Sequence, residues 1–256
     1  MIDCFMIGLQ TVHFFYKLKV IMNKQEQEQL YAEINGLLEL YNMAPSISND
    51  KRFVLDDVKD MYSRMFSYII KDENQINRLQ VWMDEHDFWK SPASTRFHGD
   101  FESGLCVHTL MVIVQTLKFA QPVLKNFFES PLADNFNFTA KDIFLAALVH
   151  DFCKAGSYGI EYRNAKDFQG NWIKKPFFKT RENLRNLGHG NESVLILLEI
   201  LPEYVKNRCV IEAVSRHMGF SDLSDLERMN YSNFLQNPLV VLIQLADQSA
   251  AAWYDC

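Results

Sequence analysis

Three segments in the first third of the chain carry apolar residues three and four positions apart, the spacing of an amphipathic helix. In the first of them, Leu30, Ile34, Leu37 and Leu38 follow this period, and charged residues occupy the positions between them. The next two segments repeat the pattern with methionine and aromatic side chains, which is typical of helices that pack in a core. The pattern predicts helices over Lys24–Tyr41, Val54–Ile70 and Glu73–Trp89.

The stretch Ser91-Pro92-Ala93-Ser94 interrupts this pattern, because proline lacks a backbone donor and small polar residues favour turns. Helical spacing then returns in longer and more apolar segments. One of them begins at the capping motif Thr139-Ala-Lys-Asp142 and is predicted to continue until Gly156. We therefore predict an all-α fold, with an N-terminal helical extension over residues 1–90 and a helical bundle domain over residues 91–256.

One segment of the bundle domain, between residues 156 and 179, lacks the helical period. Tyr158, Ile160 and Tyr162 alternate with other residues before a turn sequence at Gln169-Gly170-Asn171, and a second apolar stretch follows. Alternation on both sides of such a turn predicts a small β-hairpin insertion. The hairpin is either a structural decoration or a cover over an anionic ligand, for which its basic residues are suited: Arg163, Lys174 and Lys175.

Residues 1–21 are apolar and aromatic enough to raise the question of a signal peptide or membrane anchor. Asp3 occupies the place of a basic n-region, Gln10 and His13 interrupt the apolar run, and no small-residue cleavage site follows. The uninterrupted run is also too short to span a bilayer. We expect translation to begin at Met22 instead, with a packed N-terminal helix as the alternative.

Composition and charge narrow the classes of partner. The 256 residues contain 48% hydrophobic side chains, enough for a large core, and their net charge is -6. An acidic chain without a basic stripe argues against binding to long nucleic acid and favours a small anionic ligand held by a few local cations. The five cysteines are scattered and form no CxxC pair, so we expect reduced thiols in a cytoplasmic protein without a membrane.

Candidate chemistry begins with His150-Asp151, a dipeptide at the end of the apolar segment that starts at Ile143. Two polar side chains in such surroundings are costly to desolvate unless a metal ion or hydrogen-bond partners compensate them. A single buried histidine or aspartate is usually only a satisfied core residue. Similar polar residues recur, however, at the ends or on the apolar faces of other predicted helices: His108, His189, His217 and Asp247.

The ordered set His108, His150-Asp151, Asp247 resembles the H…HD…D signature of the HD superfamily of metal-dependent phosphohydrolases, and His189 and His217 resemble the additional ligands of its bimetallic branch. The resemblance covers about residues 96–253. It implies an HD-type helical bundle in which Asp151 bridges two metal ions. One ion would be held by His108, His150, Asp151 and Asp247, and the other by Asp151, His189 and His217.

Imidazole and carboxylate ligands without a thiolate suit one or two divalent ions of manganese, iron, zinc, cobalt or nickel. In the implied reaction the metal activates water for attack on a phosphate ester and neutralises charge on its oxygens. Lys154 would contact the phosphate, and His98 would support the ligands or donate a proton to the leaving group, unless it is a structural loop residue. Weaker candidates for phosphate recognition are Arg96, Arg163 and Arg216.

We therefore expect a hydrolase that cleaves a phosphomonoester or phosphodiester of a nucleotide or related small molecule. The N-terminal segment shows no run of strands typical of an OB domain, and the chain lacks the Gly-Tyr-Pro signature of cyclic-di-GMP phosphodiesterases. Two alternatives remain open. One is a di-iron oxygenase that uses the same histidine and aspartate residues, and the other is a non-catalytic sensor that binds a nucleotide.

Overall fold

The computed structural model of the protein describes residues 22–42, 53–182, 187–221 and 223–254. The expectation for residues 1–21 lies outside this part of the chain. The described residues form ten α-helices and one hairpin: α1 Lys24–Tyr41, α2 Leu55–Ile69, α3 Glu73–Glu85, α4 Gly104–Phe128, α5 Ala140–Val149, β1 Tyr158–Lys166, β2 Trp172–Thr180, α6 His189–Ile200, α7 Arg208–Ser215, α8 Asp225–Met229, α9 Tyr231–Phe234 and α10 Pro238–Tyr254. Short 3₁₀ turns join some of them: Ala133–Asn135, Phe152–Lys154 and Pro202–Lys206.

The first three helices confirm the apolar periodicity. In α1 the buried residues are Leu30, Ile34 and Leu37, and Asn23 begins the helix with a capping box to Glu26. The third helix is shorter than predicted, because it ends at Glu85 and the chain then turns through Asp87, whose φ of 59° is left-handed.

The centre of the bundle consists of α4, α5, α7 and α10, which pack against one another. Helix α4 is long and apolar enough to cross a membrane by length and composition, but 72% of that stretch is buried inside the protein. A buried core helix of a bundle meets the same criteria of length and composition. The predominantly helical fold with a single hairpin among the described residues confirms the predicted architecture at that level.

The segment before residue 90 shares its hydrophobic core with the rest of the bundle. Tyr62 on α2 donates a hydrogen bond to the backbone carbonyl of Cys106 on α4 at 2.8 Å. Phe66 meets Phe144 on α5 edge to face, with ring centroids 6.0 Å apart. Within the described residues, the predicted N-terminal extension thus packs as an integral layer of the bundle.

The hairpin confirms the change of pattern after Gly156. Strands β1 and β2 are antiparallel, and their register pairs Tyr158 with Thr180 and Lys166 with Trp172. At the turn, Asp167 accepts hydrogen bonds from the backbone of Gln169 and Asn171. Neither strand contributes a residue to the hydrophobic core cluster, so the hairpin projects from the helical body.

This separation predicts that the hairpin can be shortened without unfolding the protein. The chain enters and leaves at one point, because Arg181 N donates to Ser157 O at 3.0 Å. Replacing residues 160–178 by Asn-Gly would close the Gly159–Lys179 pair with a two-residue turn. We expect the free energy of unfolding, measured by chemical denaturation, to change by less than about 1 kcal/mol. A loss of more than about 3 kcal/mol would show instead that the hairpin supports the core.

Candidate metal centre

The predicted helix around His150 ends earlier than expected. Helix α5 begins at Ala140 after Thr139, whose side chain forms a capping box with Asp142, and its last residue is Val149. The prediction of a helix continuing to Gly156 is therefore wrong. At Asp151 the backbone leaves the helical region, with φ -115° and ψ 20°, and the 3₁₀ turn Phe152–Lys154 follows. The His-Asp pair thus occupies a corner between two helical segments.

Two hydrogen bonds from distant parts of the chain hold this corner. The backbone N–H of Cys153 donates to Ser193 Oγ on α6 at 3.2 Å, and that of Gly156 donates to Ser91 Oγ at 2.9 Å. Sequence reasoning missed both serines as supports of the site. The only local signal was the interruption at residues 91–94, where Ser91 and Ala93 are in fact buried in the bundle.

Four of the predicted metal ligands converge in the bundle interior. His108 Nε2 lies 3.1 Å from Asp247 Oδ1 and 3.6 Å from Asp151 Oδ2. His150 Nε2 lies 3.4 Å from both Asp151 Oδ2 and His108 Nε2, and 4.0 Å from Asp247 Oδ1. His108, His150 and Asp151 are fully or almost fully buried, and Asp247 is 15% exposed. One side chain comes from each of α4 and α10, and two come from the corner after α5.

The second oxygen of Asp151 faces a fifth predicted ligand. His217 follows the end of α7 and is 1% exposed. Its Nε2 lies 3.4 Å from Asp151 Oδ1, and its ring centroid is 5.1 Å from that of His150. Asp151 therefore stands between two histidine groups, with Oδ2 turned to His108 and His150 and Oδ1 turned to His217.

Hydrogen bonds on the far side of two rings set their orientation. Nδ1 of His150 lies 2.7 Å from Ala147 O, and Nδ1 of His217 lies 2.8 Å from Val214 O. A backbone carbonyl only accepts, so each Nδ1 carries the proton and donates it. In a neutral imidazole the Nε2 atom then presents a lone pair towards Asp151.

Lone pairs that face a carboxylate repel it unless a cation lies between them. Asp151 Oδ1 and His217 Nε2 are buried and have no hydrogen-bond partner among the described residues. Donors about 2.0–2.2 Å from a common ion are about 2.8–3.6 Å apart in octahedral or tetrahedral arrangements. The distances of 3.1–3.6 Å from His108 to Asp151 and Asp247 lie within this range. The residues present therefore fit a divalent metal ion.

The charges around the centre support the same conclusion. Lys154 Nζ lies 2.6 Å from Asp151 Oδ2. Burial opposes ionisation of Asp151, but Lys154 and His150 hold the pKa of its carboxyl well below the usual range. Burial also opposes ionisation of Asp247, yet contact with His108 lowers the pKa of that carboxyl. Burial disfavours the charged form of Lys154, but Asp151 raises its pKa above the ordinary value. Two carboxylates and one ammonium are thus charged at neutral pH.

His98 lies at the edge of the centre, with its ring centroid 4.8 Å from that of His108. Burial, followed by the influence of His108 and Lys154, lowers the pKa of His98 to about 4. Its Nε2 is buried without a hydrogen-bond partner among the described residues. A neutral imidazole in this place can donate or accept one hydrogen bond towards a ligand of the centre.

His189 is the first residue of α6 and is half-buried. The neighbouring Gly190 packs directly on the end of α7, where a Cβ would lie 2.2 Å from Ser215 O, so the two helix ends are in close contact. Among the described residues, His108, His150 and Asp151 have donor atoms within 4.8 Å of one another, and this group does not contain His189.

Two of the predicted arginines, Arg96 and Arg163, line an open cleft. Arg216 is paired with Glu227 on α8 at 2.8 Å and lies 4.6 Å from the centre of the Phe234 ring on α9. Its guanidinium is therefore already occupied by interactions that hold the short helices on the bundle.

No protein-family model, curated protein or solved structure matches the chain. What the site can do must therefore be argued from its own geometry and chemistry.

Proposed function

We propose that the protein is a metal-dependent phosphohydrolase of the HD type that cleaves a phosphate ester of a nucleotide or related small molecule. The observation that carries the proposal is the position of Asp151. Its two oxygens face the Nε2 atoms of different buried histidines at 3.4–3.6 Å. A carboxylate in that position is suited to bridge two ions. The order of the ligands along the chain agrees with the HD resemblance.

Residues of the chain provide the other requirements of phosphoryl transfer. Lys154 is buried and charged beside the ligands, so it can hold a phosphate oxygen without a large desolvation cost at the moment of binding. His98 offers a neutral imidazole at the same edge, suited to hydrogen bonding with the leaving-group oxygen. When bound, the metal supplies an acidified water and neutralises charge on the phosphoryl oxygens.

The first test is the metal content of protein purified without added ions, combined with a screen of phosphomonoesters, phosphodiesters and nucleotides. We expect one or two equivalents of a transition metal and release of phosphate or a nucleoside monophosphate from some of the esters. Removal of the metal by a chelator should stop release, and addition of manganese, iron, zinc, cobalt or nickel should restore it.

The same experiment separates the alternatives. Turnover that needs both iron and O₂ and stops under strict anaerobiosis would identify an oxygenase and contradict the proposal. Nucleotide binding that persists after metal removal, with no turnover of any ester by the metal-loaded protein, would identify a sensor and contradict it as well.

A further inference from the structure

An open cleft of about 1300 Å³ lies between the hairpin and the segment 87–102. No predicted metal ligand lines it, but Ser91 and Gly156 do, and the hydrogen bond between them holds the corner that carries Asp151. On one wall, Arg96 lines the cleft two positions before His98, which contacts His108. On the other, Tyr158 lines the cleft and follows Ser157, whose backbone N–H donates to Lys154 O at 3.1 Å. The inner end of the cleft therefore lies beside the corner that carries the metal ligands.

One face of the hairpin brings basic and aromatic side chains to this cleft, which Ile160 and Phe178 of the other face also line. Arg163 is opposite Lys175, and Glu161 is opposite Phe177, so these four side chains project from the same face. All four line the cleft, and the Arg163 guanidinium lies 5.4 Å from the centre of the Phe177 ring. Lys174 is on the opposite face, contrary to the expectation that it would join the other two cations.

Some of the cations in the cleft are neutralised and others are not. Glu161 pairs with Lys179 at 3.0 Å, which removes both as sources of net charge. Among the described residues, no carboxylate forms an ion pair with Arg96, Arg163 or Lys175. These three cations thus line the cleft together with the carboxylates of Asp100 and Glu102, and they are separate from Lys154.

The opposite wall carries oxygen acceptors and a further aromatic ring. Asp100 and Glu102 line the cleft beside Phe101. Carboxylates in such a position suit sugar hydroxyls, and rings on both walls suit the faces of a base. The volume exceeds what a single phosphate group requires.

We propose that this cleft binds the part of the substrate that is not cleaved, and that this part is a nucleoside carrying a second phosphate group. The inference rests on the proposed function, in which the phosphate to be cleaved lies beside Lys154. The cations of the cleft then require another anionic group on the same ligand, and Phe177 provides a surface for its base. The substrate class is therefore a nucleoside bisphosphate or a short oligonucleotide end rather than a simple nucleoside monophosphate.

The test is a calorimetric titration of the full chain as purified with adenosine 3′,5′-bisphosphate, AMP and ribose 5-phosphate, with ligand integrity checked by chromatography. We expect the bisphosphate to bind at least about tenfold more tightly than AMP, since charge-assisted hydrogen bonds to a second phosphate add affinity. AMP should bind at least about tenfold more tightly than ribose 5-phosphate, because only AMP has a base to stack.

Two pairs of substitutions assign the effects to the cleft. Arg163→Ala with Lys175→Ala should reduce the preference for the bisphosphate over AMP to less than about threefold. Lys166→Ala with Lys174→Ala removes the same charge from the opposite face and should leave the preference within about twofold of the original. Phe177→Ala should reduce the preference for AMP over ribose 5-phosphate.

Equal binding of the bisphosphate and AMP would overturn the proposal, as would a preference that survives the loss of Arg163 and Lys175. A preference for the bisphosphate that depends on these residues, in a protein that hydrolyses no ester, would support the proposed binding site and contradict only the proposed phosphohydrolase activity. Ester hydrolysis without any preference for the bisphosphate would contradict only the proposed binding site.

Discussion

Replacement of Asp151 by asparagine is expected to remove the metal and lower the turnover of phosphate esters by at least about 1000-fold. The amide keeps the size of the side chain but loses the charge and one acceptor oxygen. Asp151 contacts His108, His150 and His217 at 3.4–3.6 Å and Lys154 at 2.6 Å, so all of these groups lose their common anionic partner. Metal stoichiometry and initial rates measure the effect.

The control for this substitution is Asp225→Asn, because the Asp225 side chain is 98% exposed. It should change neither metal content nor rate. His217→Ala should have a smaller effect than Asp151→Asn, since His108 and His150 still face Oδ2 of the aspartate. Hydrolysis that survives Asp151→Asn in a folded protein would rule out the proposed centre. Circular dichroism establishes whether the variant is folded.

Local pattern predicted that the ligands lie on or beside apolar segments that form helices. Helix α10, Pro238–Tyr254, carries Asp247 and buries Leu239, Leu242, Ile243 and Ala246 at helical spacing. Helix α1 begins and ends as predicted, because its buried residues follow the period and Asn23 provides a recognisable cap. Capping and periodicity are local properties, so a single sequence contains them.

The corner at Asp151 could not be predicted in the same way. From Ile143 to Phe152 the residues are almost uniformly apolar and buried, so the sequence has no polar face whose loss would mark a helix end. The turn is held by Ser193 and Ser91, which are far away along the chain. Long-range hydrogen bonds of this kind leave no local signal.

The contacts of the basic residues could not be predicted from the sequence either. Arg216 was a weaker phosphate candidate because a guanidinium can form bidentate hydrogen bonds, but folding brings Glu227 and Phe234 to it. Arg163 and Lys175 are charges on an exposed hairpin, and only the register shows that they share a face while Lys174 does not. Pairing between distant segments decides which cations remain available for a ligand.

The second large effect is expected from Phe66→Ala, which should lower the free energy of unfolding by about 3–5 kcal/mol. Phe66 is 1% exposed and packs against Phe144 on α5, the helix that ends at His150. Loss of the ring leaves a cavity between the first layer of helices and the centre of the bundle. Chemical denaturation followed by circular dichroism measures the loss.

Phe168→Ala is the matched control, because Phe168 is 97% exposed at the hairpin turn, and it should change stability by less than about 0.5 kcal/mol.

Metal at one hundred times its dissociation constant should stabilise the wild-type protein by about 2.7 kcal/mol, since only the folded state presents the assembled ligands. If Phe66 also supports the corner at Asp151, this gain will be smaller in Phe66→Ala. An unchanged stability of Phe66→Ala would mean that residues before 90 are a separate extension, because a shared core cannot lose a buried phenyl ring without cost.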